Sequence, residues 1–188
     1  MDTRHQLITL LAERSARRGH FVLSSGLTSS LYIDCRLTTM SPEGLALIGP
    51  LALETIHRSF GQHTVDAVGG LTLGADPIAY SIAFASSATS NPIRAFTVRK
   101  EPKSHGAGRQ IEGPYRPGDR VVVVEDVITT GGSALKAVEA LRAHDAQILG
   151  VLALVDREEG GRERIEAEGL SVVSLARVAE ILPLLPER

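Results

Sequence analysis

Apolar positions along the chain switch between two periods, and the switching predicts strands alternating with helices. Residues 121–124 are four consecutive valines bounded by charge, the pattern of a strand buried on both faces in a parallel sheet covered by helices. The run over 148–155 reads the same way, and shorter strands are predicted in 66–70, 93–100 and 170–175. Between them lie helical patterns. Leu7, Ile8, Leu10, Leu11 and Ala12 among charges predict an amphipathic helix over 3–18, ended by Gly19. Ser41 as N-cap, Pro42 at the first helical position and Glu43 in the first turn start a helix running to 60. Its apolar face is Leu45, Ile48, Leu51, Leu53 and Ile56, with Gly49 and Pro50 as a point where it can kink. A further helix begins near 75–77 and runs to 87, one opens at Ala134, an acidic one covers 163–168, and a short one covers 178–182 before a tail over 183–188. Two β-like runs within 21–36, separated by a Ser/Gly/Thr turn, read as a hairpin. The alternation as a whole predicts a doubly wound, mainly parallel α/β sheet.

Composition narrows the class. At 188 residues and 43% hydrophobic content, the chain fits one domain over 1–188 with a core that needs neither disulfides nor metals. Its one cysteine, Cys35, excludes an intramolecular disulfide and agrees with a reducing cytoplasm; it reads as a small, partly buried side chain rather than a catalytic thiol. No stretch approaches the roughly 20 apolar residues of a bilayer span, and the N-terminal residues lack the apolar core of a signal peptide, so a soluble, cytoplasmic protein is expected. A net charge of -2 argues against broad nucleic-acid binding. His57, His63 and His144 have no paired metal-ligand spacing and read as surface or helix-end residues.

The chemistry gathers at 121–135. Glu125 and Asp126 follow the valines, and Val127, Ile128, Thr129, Thr130, Gly131, Gly132 and Ser133 lead into the helix. A loop between the carboxyl end of a strand and the amino end of a helix collects unpaired N–H groups, and the helix dipole there favours an anion. The acidic pair suits the 2- and 3-hydroxyls of a ribose whose 5-phosphate lies in the loop. A βα turn that uses Gly and Thr for geometry alone is the competing reading. Positive charge is concentrated elsewhere, at Arg99, Lys100, Lys103, His105 and Arg109. Residues 99–114 are rich in Gly and Pro without a period and read as a mobile lid over a polyanion. The glycine-rich turn 69–74 contains no G-K-[S/T], which excludes a Walker A loop.

The strand, acidic pair and T-T-G-G-S loop together resemble the signature of the type I phosphoribosyltransferases, which bind 5-phosphoribosyl 1-diphosphate (PRPP). Two further stretches are similar to the orotate phosphoribosyltransferases among them. One is F-x-L-x-S-G-x-x-S-x-x-Y-x-D-x-R over 21–36, which matches the family's N-terminal hood and makes 1–40 a helix and hood; the other is R-K-x-x-K-x-H-G with I-E-G over 99–113, the catalytic loop. The resemblance implies that orotate is held by Tyr32, Ile33, Thr129 and Arg157, the last contacting its carboxylate. It implies a diphosphate loop at Thr72 and Leu73, PRPP binding by Arg99, Lys100, Lys103, His105 and residues 125–133, and catalytic roles for Lys103, His105 and Asp126. Mg²⁺ is the implied cofactor, held mainly through PRPP, and the implied assembly is a homodimer with shared active sites. Two positions depart from many family members, which carry lysine where Ser24 and Leu73 stand; Lys103 and Arg99 are expected to carry more of the binding. A transferase for uracil or a purine, and a non-catalytic PRPP sensor that binds nucleic acid, remain the alternatives. The hood, the lid and Arg157 disfavour the first, and the sensor would need neither Lys103 nor His105.

Overall fold

The structure, a computed structural model, describes residues 2–22, 28–101 and 110–186. Its frame is a six-stranded sheet in the order β5-β4-β3-β6-β7-β8. Strands β3 (Ala67–Leu71), β4 (Arg94–Val98), β6 (Arg120–Ile128), β7 (Gln147–Asp156) and β8 (Ser171–Arg177) run parallel, and β5 (Ile111–Glu112) adds antiparallel to β4.

The valine run explains the layering. Successive side chains of a strand point to opposite faces, and Val121 to Val124 are all fully buried. Val122 and Val124 enter a core with Val68, Leu152 and Leu154 of the sheet and with α1 (Thr3–Arg14), α3 (Pro42–Phe60) and α4 (Ala75–Ser86). Val121 and Val123 enter the opposite core, with Val151, Ala153, α5 (Gly132–Arg142) and α6 (Gly161–Glu166). A strand covered on both faces has no polar side, which is why the sequence there does not alternate. Each valine so buried contributes about 1.5–3 kcal/mol relative to exposure.

The start of α3 follows its sequence: the Ser41 hydroxyl accepts from the Gly44 amide at 3.1 Å, and Pro42 follows it. Gly49 allows close contact with α4, since a Cβ there would lie 2.6 Å from the Ser81 carbonyl oxygen. Pro50 lies within α3 on its exposed side.

Several boundaries differ from expectation. The first helix stops at Arg14, and Arg17, Arg18 and Gly19 belong to β1 (Ala16–Val22), paired antiparallel with β2 (Thr28–Ile33) as the hood. Ala12 is the last apolar residue that α1 buries; beyond it, pairing of Ala16 with Ile33 and the 2.7 Å bond between the Ser15 and Thr38 hydroxyls hold the chain in another direction. The central strand does not end before the acidic pair but carries Glu125 and Asp126 within it, because β7 continues to pair as far as Ile128 with Asp156. Helix α5 starts at Gly132, and α6 is set two residues earlier than expected. Strand β8 continues to Arg177 and leads into α7 (Val178–Ile181). The supposed tail begins with a 3-10 turn over Leu182–Leu184 and buries Leu185. A short helix α2 (Arg36–Thr39) links the hood to α3, its first amide bonded to the Asp34 carboxylate at 3.1 Å. His57, expected at the surface, is half-buried with its Nε2 unpartnered, while His63 is exposed.

Candidate active site

Parallel strands end on one edge of the sheet, and the loops after β3, β6 and β7 meet the hood there around a cavity of about 380 Å³. Tyr32 and Ile33 come from the hood, Thr72 and Leu73 from the loop after β3, and Lys100 from beyond β4. Glu125, Asp126, Val127, Thr129 and Ser133 supply the floor, and Arg157 the far wall. A smaller pocket of about 230 Å³ shares Glu125, Val127, Thr129 and Ser133 and extends along Ile128, Thr130, Gly131 and Gly132 to Lys136.

The smaller pocket is a cradle for an anion. Gly131 sits in the left-handed region, φ 74°, and turns the chain directly into the amino end of α5. Amides of the first turn lack helical partners, and Lys136 adds a positive charge one turn further on. Sequence reading missed Lys136; its signal is the four-residue spacing from Gly132, which puts both at the same end of one helix face.

The acidic pair is asymmetric. Glu125 is buried, its Oε2 has no hydrogen-bond partner, and burial, followed by the neighbouring Asp126, pushes its pKa up to about 9. Asp126 is half-buried and accepts from the Val127 amide at 2.9 Å. The loop after β3 packs on it: a Cβ at Gly74 would come within 2.5 Å of the Asp126 carboxylate. The floor thus offers two acidic side chains in different settings, Glu125 enclosed and Asp126 partly open to the cavity.

On the other side, Tyr32 is 41% exposed and packs on Phe21 with ring centroids 5.3 Å apart, leaving part of its surface toward the cavity. Arg157 is buried, with its guanidinium 2.6 Å from Glu159 and 3.3 Å from the Ser29 hydroxyl, and its Nε unpartnered. The guanidinium at this wall is thus held by its neighbours Glu159 and Ser29, with Nε enclosed. Cys35 also lines the cavity, but it is buried, and burial raises its thiol pKa well above the ordinary value, which disfavours the thiolate.

Not every expected residue converges. Arg99 does not line the cavity; its Nε donates to Glu112 at 2.9 Å, tying β4 to β5. Thr72 points its amide away, donating to the Val98 carbonyl at 2.8 Å. The peptide between Thr72 and Leu73 is cis, and Leu73 is 53% exposed at the rim. Ser24, Lys103 and His105 lie outside the described residues. Sequence reading also passed over Arg36, which lines the cavity while Asp34 holds it through bonds of 2.8 and 2.9 Å.

Comparison with known proteins decides the family. Residues 42–176 match the phosphoribosyl transferase domain. An orotate phosphoribosyltransferase of Aquifex aeolicus is 53% identical over 185 residues, covering 97% of this chain and 99% of that one. The chain belongs to the orotate phosphoribosyltransferase family. Among solved members of the family, the Mycobacterium tuberculosis enzyme in complex with Fe(III) dicitrate is 43% identical, with a TM-score of 0.83 over 96% of this chain and 99% of that one. A second structure of that enzyme, in complex with PRPP, gives 40% identity and a TM-score of 0.79 over the same shares. The doubly wound sheet with its hood is therefore the family's phosphoribosyltransferase fold.

Proposed function

We propose that the protein transfers the phosphoribosyl group of PRPP to orotate, giving orotidine 5-monophosphate and diphosphate in pyrimidine biosynthesis. The observation that carries this reading is the continuity of the acidic floor at Glu125 and Asp126 with the glycine cradle at 131–133, under a hood that brings Tyr32 to the same cavity as Arg157.

The ribose 5-phosphate lies in the cradle, held by the α5 amides, the Thr129, Thr130 and Ser133 hydroxyls and Lys136. Its diol rests on Glu125 and Asp126. Displacement at the anomeric carbon leaves positive charge on the ribose and negative charge on the departing diphosphate, so fixed charges matter more than a strong nucleophile. The negative pole of Asp126 faces the first; Lys100, with Lys103 and His105 of the 99–114 loop, answers the second. Tyr32 and Ile33 bound the pyrimidine, while Thr129 and Arg157 fix its polar edge.

The donor set fits Mg²⁺. Asp126, half-buried on the cavity floor, is a hard oxygen donor of the kind that Mg²⁺ takes. Asp126 would face it, and the ion would supply charge neutralisation of the diphosphate.

The family resemblance also supports a cytoplasmic homodimer acting through one phosphoribosyltransferase unit over 1–188, in which the 99–114 loop closes over the partner's site. Among the described residues no helix is long and apolar enough to cross a membrane.

The deciding assay supplies PRPP and Mg²⁺ with either orotate or uracil and follows diphosphate release. Turnover with orotate and little with uracil is expected; equal use of both acceptors overturns the role of Arg157. Replacing Arg157 with alanine should raise KM for orotate about ten- to a hundredfold with little change in KM for PRPP. Lys103→Ala should lower kcat by about tenfold or more, since it removes charge facing the leaving group; unchanged PRPP turnover would remove Lys103 from the mechanism.

A further inference from the structure

Asp76 is a buried carboxylate in the first turn of α4 that the mechanism above does not use. Both its oxygens are engaged: Oδ2 accepts from the Thr72 hydroxyl at 2.7 Å, and Oδ1 accepts from the Thr97 hydroxyl at 2.9 Å. The Thr97 oxygen also lies 2.9 Å from the Tyr80 hydroxyl. Because a hydroxyl has one proton and Thr97 gives its own to Asp76, Tyr80 is the donor in that contact. The chain of bonds crosses three elements, from the loop after β3, through the start of α4, to the last residues of β4.

The elements it joins are two walls of one cavity. Thr72 and Leu73 line it on one side, and Lys100, two residues beyond the end of β4, lines it on another. Backbone pairing of β3 with β4 ends at Leu71 with Val98, and beyond it the Thr72 amide donates to the Val98 carbonyl. A negative charge beside a site for a polyanion opposes binding unless it performs another task. Here the task is geometric.

We propose that Asp76 is a positioning residue for the diphosphate, clamping the 72–74 loop to the end of β4 through the hydroxyls of Thr72 and Thr97. The proposal rests on the reading of that loop as the diphosphate wall. Asp76 itself touches no substrate; it fixes the separation between the loop and Lys100. The 5-phosphate cradle at 129–133, at the end of β6 and the start of α5, takes no part in these bonds.

That independence supplies the test. The full chain, unmodified and as Asp76→Ala, Asp76→Asn and Thr97→Val, is titrated calorimetrically with inorganic diphosphate and separately with ribose 5-phosphate, alongside thermal melts and steady-state kinetics. Asp76→Ala is expected to weaken diphosphate binding by about tenfold or more and raise KM for PRPP in proportion, while ribose 5-phosphate binding is unchanged. The Asp76→Asn variant would retain one acceptor oxygen and Thr97→Val one of the two bonds, so both should show intermediate losses of the same kind. They carry the test if Asp76→Ala does not fold. Diphosphate binding within about twofold of the parent in these variants overturns the clamp, as does equal loss of both ligands, the mark of a merely structural role. A parent that binds neither ligand overturns the functional reading and the clamp with it; a parent that binds both, with the variants unaffected, overturns the clamp alone.

Discussion

Gly131→Val is expected to abolish measurable ribose 5-phosphate binding and to raise KM for PRPP by about two orders of magnitude, while the protein still folds. Gly131 holds φ 74°, which a β-branched residue adopts only with strain. Space is also lacking, because a Cβ there would lie 2.8 Å from the Gly161 carbonyl oxygen and 3.1 Å from the Ile165 side chain. Relief requires the peptide to turn or the α6 start to move. Either change redirects amides that share one anion, and a cradle works only when its donors converge. The core strand β6 and its valines are untouched, so the thermal midpoint should fall only modestly. Calorimetric titration with ribose 5-phosphate checks this, and retention of parental affinity would show that the phosphate is bound elsewhere.

Glu125→Gln should make the unliganded protein more stable than the parent at pH 8 and leave it little changed near pH 5. The carboxyl titrates at about 9 in the fold against an ordinary value of 4.5. Between those values the folded state holds a proton that the unfolded state has released, so parental stability falls as pH rises through the window. One such group changes stability by at most about 1.4 kcal/mol per pH unit. For a chain of this size each kcal/mol moves the midpoint by about 2–4 °C. Glutamine keeps the shape without the titration, so the midpoint difference between variant and parent should widen steadily from pH 5 to pH 9. A difference that stays constant over that range would mean the carboxyl is already ionised in the fold.

How far the sequence exposes this molecule depends on how local each determinant is. The valines at 121–124 announce a doubly covered strand because both faces demand apolar residues, and Ser41 with Pro42 marks a helix start because capping acts over three residues. The site motifs at 125–133 are equally local, and their cradle shape follows from one glycine and one helix end. What escapes is set by partners distant along the chain. Nothing near Arg14 signals that the helix must stop; Thr38 and Ile33 decide that from the hood and α2. Asp76 carries no local sign of its role, because its partner Thr97 lies 21 residues later. Arg99 reads as a substrate ligand by its neighbour Lys100, yet in the fold its donor turns to Glu112. The depth of Glu125 is also hidden, since two adjacent acids look alike until the pleat sends one inward.

Strand β5 is only two residues long and passes straight into Gly113 and Pro114, while at the opposite margin Arg162 donates to the Val172 carbonyl at 2.6 Å and to the Ser174 hydroxyl at 3.2 Å. A two-residue strand followed closely by proline and a carbonyl covered by a guanidinium both discourage a foreign strand from adding on. Growth of the sheet from one molecule into the next is thereby made harder at its two borders. Open-ended backbone pairing at these two margins is thereby disfavoured, which leaves side chains on helices and loops as the more selective surface for contact with another copy.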